Sequence, residues 1–338
     1  MKNKIDIRGI RDGAMMTALT VIFMLLSLYV PLFSFIGMFL SGIPLAVLYA
    51  RDGIMPSVLS AVCSFLIMFV FTGDLFNVFT LVVAYAVPGL VAGICLKKRL
   101  NFFRSVLFTG AAFLAGILLE VLMIKLFMGG IDQMFTELFS GLGKTVEEAL
   151  KSVSGAGSEE IAQTAKSFAD TIIYMAKLYF PSVLIVSSFF CAYLMCSFAG
   201  FILKRLKLCN VKTVPFYMLR APKSMSIAAV LLYILSFFIN PEGMVSAAFL
   251  NILFVIYALV SVCGFSFIDY KFKGLVKKGY LRALIYIAVF IFGGMFITLF
   301  INICLIIGIF DSTMNFRRIS AVNEDDNILT FDDKNLKK

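Results

Sequence analysis

The chain has 338 residues, 61% of them hydrophobic and only 15% charged, whereas a soluble domain is roughly 45–50% apolar and about 25% charged. No water-soluble fold hides that much apolar surface, so its solvent is largely lipid, and a soluble enzyme, a DNA-binding domain and a disordered protein are all excluded. The net charge of +10 reads as the basic cytoplasmic loops of a membrane protein rather than as an affinity for nucleic acid.

Apolar runs separated by charges define nine segments, near 14–33, 36–50, 54–72, 75–96, 104–128, 173–203, 224–239, 244–268 and 281–310. About 20 apolar residues are needed to cross a bilayer. The second and seventh segments are shorter, and the second also carries Gly37, Gly42 and Pro44. It is expected to be tilted, broken or re-entrant, under protein cover. The fold expected is therefore all-α and polytopic, with eight or nine transmembrane helices.

Residues 1–13 precede the first segment, which is too long for the apolar core of a signal peptide and lacks an A-x-A cleavage site. It reads as a retained helix. Near its start stands the small-residue pair Ala14 and Ala18. In the fourth segment Gly89 and Gly93 form a GxxxG, which lets helix backbones approach closely and reads as packing within the chain.

Glu120 is the one carboxylate inside the apolar segments so drawn, and an ionisable group in lipid is a functional candidate by default. Lys125 follows it on the same helix, Lys177 stands at similar depth on the next, and Asp74 and Asn77 occupy the outer turn between the third and fourth segments. Three readings stay open: a Glu–Lys pair fixing helix packing, a polar site touching a solute, and a proton relay. The lysines could also snorkel outward.

Residues 129–171 form the one sizeable polar insertion. Ile131, Met134, Phe135, Leu138, Phe139, Leu142 and Val146 recur at helical spacing, and Ser158 before Glu159 and Glu160 reads as a helix N-cap. Two amphipathic helices with a flexible hinge are expected, as a hairpin on the membrane surface or a lid over a vestibule. Within it, Ser140-Gly-Leu-Gly-Lys-Thr145 imitates the end of a P-loop, but Leu138 stands where the first glycine belongs. If ATP is used, a partner supplies it.

The basic residues alternate between the two sides in step with the spans. One set of loops holds Lys2, Lys4, Arg8, Arg11 and Arg51, then Lys97, Lys98, Arg99 and Arg104, then the basic loop 204–223, then Lys271, Lys273, Lys277, Lys278 and Arg282. The other side as far as residue 242 holds only Lys125, Lys144, Lys151, Lys166 and Lys177. A cytoplasmic N-terminus in a bacterial cell membrane follows. Residues 224–310 add three further spans after the first six, and the polar stretch 311–338, with Glu324-Asp325-Asp326 and Asp332-Asp333, is expected to be disordered.

The chain contains no histidine and no tryptophan, which removes His-based metal sites and Ser-His-Asp triads. Its seven cysteines are scattered without a C-x-x-C pair, so neither a disulfide framework nor a metal or other cofactor is expected. Intramembrane proteolysis by paired aspartates, Ser–His or zinc is excluded on the same inventory, and no enzyme is expected.

The first six segments, 14–203, resemble the membrane substrate-binding (S) components of energy-coupling-factor vitamin transporters. The resemblance rests on the basic N-terminus leading into Ala14-x-x-x-Ala18, on the short segment ending Gly42-Ile-Pro44-Leu-Ala-Val-Leu-Tyr-Ala-Arg51-Asp-Gly53, on the immediate third segment, and on the return to the basic side at Lys204. It implies that Ala14 and Ala18 dock a transmembrane coupling subunit served by ATPases, and that a solute pocket opens outward. The whole chain more closely resembles the YybS-like family of uncharacterised multi-pass membrane proteins from Gram-positive bacteria, which supplies a fold and no substrate. The three extra spans and the outer insertion depart from a plain vitamin-binding component.

The function expected is a solute-binding transport component that takes a small, vitamin-like molecule from the outer side and relies on a partner ATPase or an ion gradient. Glu120, Lys125, Lys177, Asp74 and Asn77 would be its polar contacts. The alternative is a non-transporting scaffold in cell-envelope assembly, division or sporulation. A homo-oligomer stays open under either.

Overall fold

The structure is a computed structural model that describes residues 7–127, 159–210, 213–238, 243–292 and 297–317, with single positions between 130 and 135. Every regular element among the described residues is helical. We number ten helices in chain order. The first six are α1 (Ile7–Tyr29), α2 (Ser34–Asp52), α3 (Ile54–Thr72), α4 (Leu75–Lys97), α5 (Phe102–Phe127) and α6 (Glu159–Arg205). The other four are α7 (Lys223–Ser236), α8 (Met244–Leu275), α9 (Gly279–Phe292) and α10 (Ile297–Met314). Seven of these (α1, α3, α4, α5, α6, α8 and α10) are long and apolar enough to cross a membrane. The protein is a polytopic, all-α membrane protein.

The short second segment is one unbroken helix with Pro44 inside it. It is the hub of the first bundle, packed against α1, α3, α4 and α6, with Leu45, Ala46, Leu48 and Ala50 almost without accessible surface. Small residues permit the contact with α4. A Cβ on Gly89 would lie 2.2 Å from the Gly42 carbonyl oxygen, and one on Gly93 would lie 2.6 Å from the Ala46 Cα. Two turns require glycine's conformational freedom: Gly53, between α2 and α3, has φ +91°, and Gly73, which ends α3, has φ +65°.

Three expectations change. The apolar run 281–310 holds two described helices, α9 and α10, and residues 293–296 between them lie outside the described residues. The sixth span does not start at 173. It is the last part of a 47-residue helix from Glu159, about 70 Å long at 1.5 Å per residue, so the second half of the insertion is continuous with it. The remaining expectations for the insertion (the hinge, the Ser158 cap, the segment 140–145 and most of the first amphipathic stretch) lie outside the described residues. Phe135 is described: it is buried, its ring edge-on to Phe180 at 5.3 Å.

The third change concerns charge. The helices outrun the apolar segments, so Asp12 belongs to α1, Asp269 to α8 and Asp311 to α10, and all three are buried. Each is tolerated because an arginine meets it: Arg51 with Asp12 at 2.8 Å, Arg282 with Asp269 at 3.2 Å, and Arg317 with Asp311 at 2.7 Å. The stretch from 311 is therefore structured at least to Arg317, and 318–338 lies outside the described residues. Arg317 uses all five guanidinium donors. It reaches Asp311 from both Nε and Nη2, the Tyr217 and Leu219 carbonyls at 2.8 Å each, and the Ser266 hydroxyl at 2.9 Å. This clasp closes the second bundle, in which α8 and α10 cross closely: a Cβ on Gly308 would lie 2.3 Å from the Val260 carbonyl oxygen.

The two bundles meet along α6 and α8. Here the Asn251 amide accepts from the Ser182 backbone N–H at 3.1 Å and donates to the Leu178 carbonyl at 2.8 Å. An uninterrupted helix would join those two groups to each other. Pro181 breaks the ladder at this point, and a side chain from the neighbouring helix completes it.

Candidate functional site

Leu118, Leu119 and Leu122 of α5 face outward, exposed, while Glu120 turns to α4 and is half-buried. Its approach is set one turn earlier. Gly116 has no side chain, so α5 lies directly on the α4 backbone, where a Cβ would be 2.8 Å from the Val83 carbonyl oxygen. Glu120 Oε1 thereby accepts from the Thr80 hydroxyl at 3.2 Å.

Thr80 is the last residue before a π-helical segment, Leu81–Ala86, in which α4 widens and the Val87 N–H bonds to the Val82 carbonyl. π-segments are rare and recur at functional sites. Tyr85 within this one forms a ring cluster with Phe39 and Phe113, with centroids 6.2, 6.0 and 6.3 Å apart. An intramembrane carboxylate beside an irregular helix turn and an aromatic wall can hydrogen-bond a solute group or hold a proton.

The other polar candidates do not gather around Glu120. Lys125 is exposed and makes no ion pair with it. Five helical residues rotate the side chain by about 500°, which leaves the two about 140° apart, whereas ion-pairing positions lie three or four apart. Of the three open readings, the Glu120–Lys125 pair is not formed among the described residues. Lys177 is exposed on α6 and is likewise not paired with Glu120.

Asp74 and Asn77 form a separate unit, the N-cap of α4. Asp74 Oδ1 accepts from the backbone N–H of Phe76 at 2.9 Å and of Asn77 at 3.2 Å, and Oδ2 accepts from the Asn77 side chain at 2.6 Å. Both are exposed, and the arrangement accounts for them as helix capping.

A second feature is a groove of about 940 Å³ between α1 and α3. Gly9, Gly13, Ala14, Thr17 and Ala18 line one wall, and Met55, Leu59, Ser60 and Cys63 line the other. Thr17 shares a 2.7 Å hydrogen bond with Ser60 on the floor and donates to the Gly13 carbonyl at 2.8 Å. Ala14 and Ala18 are exposed, as are Met15, Ile22, Met55 and Leu59 around them. The small residues of α2 and α4 are consumed in internal packing, whereas Ala14 and Ala18 of α1 face outward.

The family described as Predicted membrane protein (DUF2232) matches residues 18–312. The chain belongs to this family. The match runs from within α1 almost to the end of α10, so the first six helices and the C-terminal four form one family unit. Ala18 is its first matched residue, and Ala14 precedes it. No curated protein and no solved structure matches the chain.

Sequence reading missed Asp12, Asp269, Asp311 and Arg317 because each lies just beyond an apolar run, among residues assigned to loops. It missed Asn251, although an amide inside an otherwise apolar helix was the available signal.

Proposed function

We propose that the protein is the solute-binding component of a membrane transport assembly and receives a transmembrane helix of a partner subunit on its α1/α3 face. One observation carries this reading: Ala14 and Ala18 stand open in an apolar groove between two helices, whereas the Gly89–Gly93 pair of α4 is closed against α2. Small residues let helices approach closely in lipid, so an open stripe beside a groove suits a helix from another chain. The resemblance of the first six spans to energy-coupling-factor binding components supports it. In the same reading the basic loops lie in the cytoplasm of a bacterial cell, a small vitamin-like solute enters from the outer side among α4, α5 and α6, and Glu120 is its polar contact. A partner ATPase or an ion gradient supplies energy, and the chain itself catalyses no reaction.

The test is co-purification in mild detergent from the native host. Ala14→Trp and Ala18→Trp fill the groove with bulk on an exposed face, so the chain is expected to fold and insert as before while losing the coupling subunit. Unchanged recovery of that subunit by both variants would overturn the docking assignment. Recovery of envelope-assembly proteins with no small molecule would replace transport by the scaffold reading.

A further inference from the structure

We propose that the ends of α6 and α8 and the start of α7 form a docking surface for anionic phospholipid headgroups. The inference concerns different helices from the α1/α3 groove and stands without it. It begins with how charge is sorted at this end of the molecule. Among the described residues, the carboxylates of Asp12, Asp269 and Asp311 are withdrawn into the fold and neutralised by arginines, and Asp52 is half-buried. Lys204, Arg205, Lys223, Lys271, Lys273 and Lys277 are all exposed. The acids are withdrawn from the surface and leave it positive.

The six cations flank two connections, α6–α7 and α8–α9, that the fold brings together. The α6–α7 connection lies on α8: Phe216 meets Phe265 with ring centroids 5.2 Å apart, and the Ser266 hydroxyl bonds the Phe216 and Leu219 carbonyls at 2.6 and 2.8 Å. Two of the lysines stand over aromatic rings. Lys273 Nζ stands 3.8 Å from the Tyr217 ring centroid, and Lys271 Nζ stands 5.7 Å from that of Phe267.

Position selects the partner. The apolar spans end at Arg205 and Leu275, so the cations stand where hydrocarbon gives way to headgroups, with aromatic rings at the boundary. A lipid phosphate is already at that depth, and clustered Lys and Arg beside a span attract anionic lipid strongly. A soluble acidic partner would have to come to the bilayer surface and displace it.

The experiment uses the full-length protein in detergent, with phosphatidylglycerol and phosphatidylcholine offered at equal concentration and bound lipid counted by native mass spectrometry. The wild type is expected to retain phosphatidylglycerol over phosphatidylcholine. Replacing Lys204, Arg205, Lys223 and Lys277 together by glutamine is expected to reduce that preference by about tenfold or more. These four side chains are exposed, and the thermal unfolding midpoint reports whether the fold survives. Lys125→Gln with Lys177→Gln, at the opposite end, is expected to leave the preference unchanged. Salt near 1 M, where the screening length is about 3 Å, is expected to abolish it in the wild type.

An undiminished preference in the folded quadruple variant would overturn the proposal, as would an equal loss in the opposite-end variant. Displacement of the lipid by millimolar inorganic phosphate would show a site for free anions and overturn the lipid assignment.

Discussion

Replacing Arg317 by methionine is expected to destabilise the protein by about 3–5 kcal/mol, the usual penalty for stranding one partner of a buried ion pair. The guanidinium side chain is wholly inaccessible, and Asp311 beside it is nearly so. Removing it leaves the aspartate charge buried and takes hydrogen bonds from the Tyr217 and Leu219 carbonyls and the Ser266 hydroxyl. Arg317→Lys should recover only part of the loss, because an ammonium has three donors and cannot reproduce the five-donor fork. Pairing Arg317→Met with Asp311→Leu should recover more, since the stranded charge goes with the arginine. Denaturant unfolding of the detergent-solubilised protein measures all three, and a wild-type curve for Arg317→Met would show that the clasp contributes nothing. The loss should fall first on the second bundle, because the clasp joins the chain after α10 to α8 and to the turn before α7.

Asn251→Leu should give the second large effect, for a reason that lies in another helix. Its amide supplies partners for the Ser182 N–H and the Leu178 carbonyl across the break at Pro181. Without it, those groups are either unsatisfied in an apolar setting, at about 1–3 kcal/mol, or must rejoin by straightening α6 against a proline ring that resists it. Pro181→Ala restores a helix that closes its own ladder. The double variant Pro181→Ala, Asn251→Leu should therefore be more stable than the sum of the single variants implies, with a coupling of about 1–2 kcal/mol in a double-mutant cycle. Strict additivity would show that the asparagine and the proline act independently. Faster hydrogen exchange at 178–182 should accompany the loss.

What was legible in the sequence was whatever hydropathy and local chain chemistry dictate. The third segment was bounded as 54–72, and α3 is Ile54–Thr72, because glycines on both sides close it. The α4 and α5 helices fall within two residues of their apolar runs. Where a helix continued past its apolar part, as in α8 beyond residue 268, buried aspartates were mistaken for loop residues.

The membrane class, the helical architecture and the candidacy of Glu120 were determined by the sequence alone, since burying backbone polar groups and charge in lipid permits few alternatives. Only the tertiary structure decided which groups meet. Glu120 faces Thr80 rather than Lys125, Asp311 is held by Arg317, and the glycines of α4 are closed against α2 while the alanines of α1 stay open. Those outcomes depend on rotation about each helix axis and on neighbours distant in the chain, and composition averaged over a window of sequence contains neither.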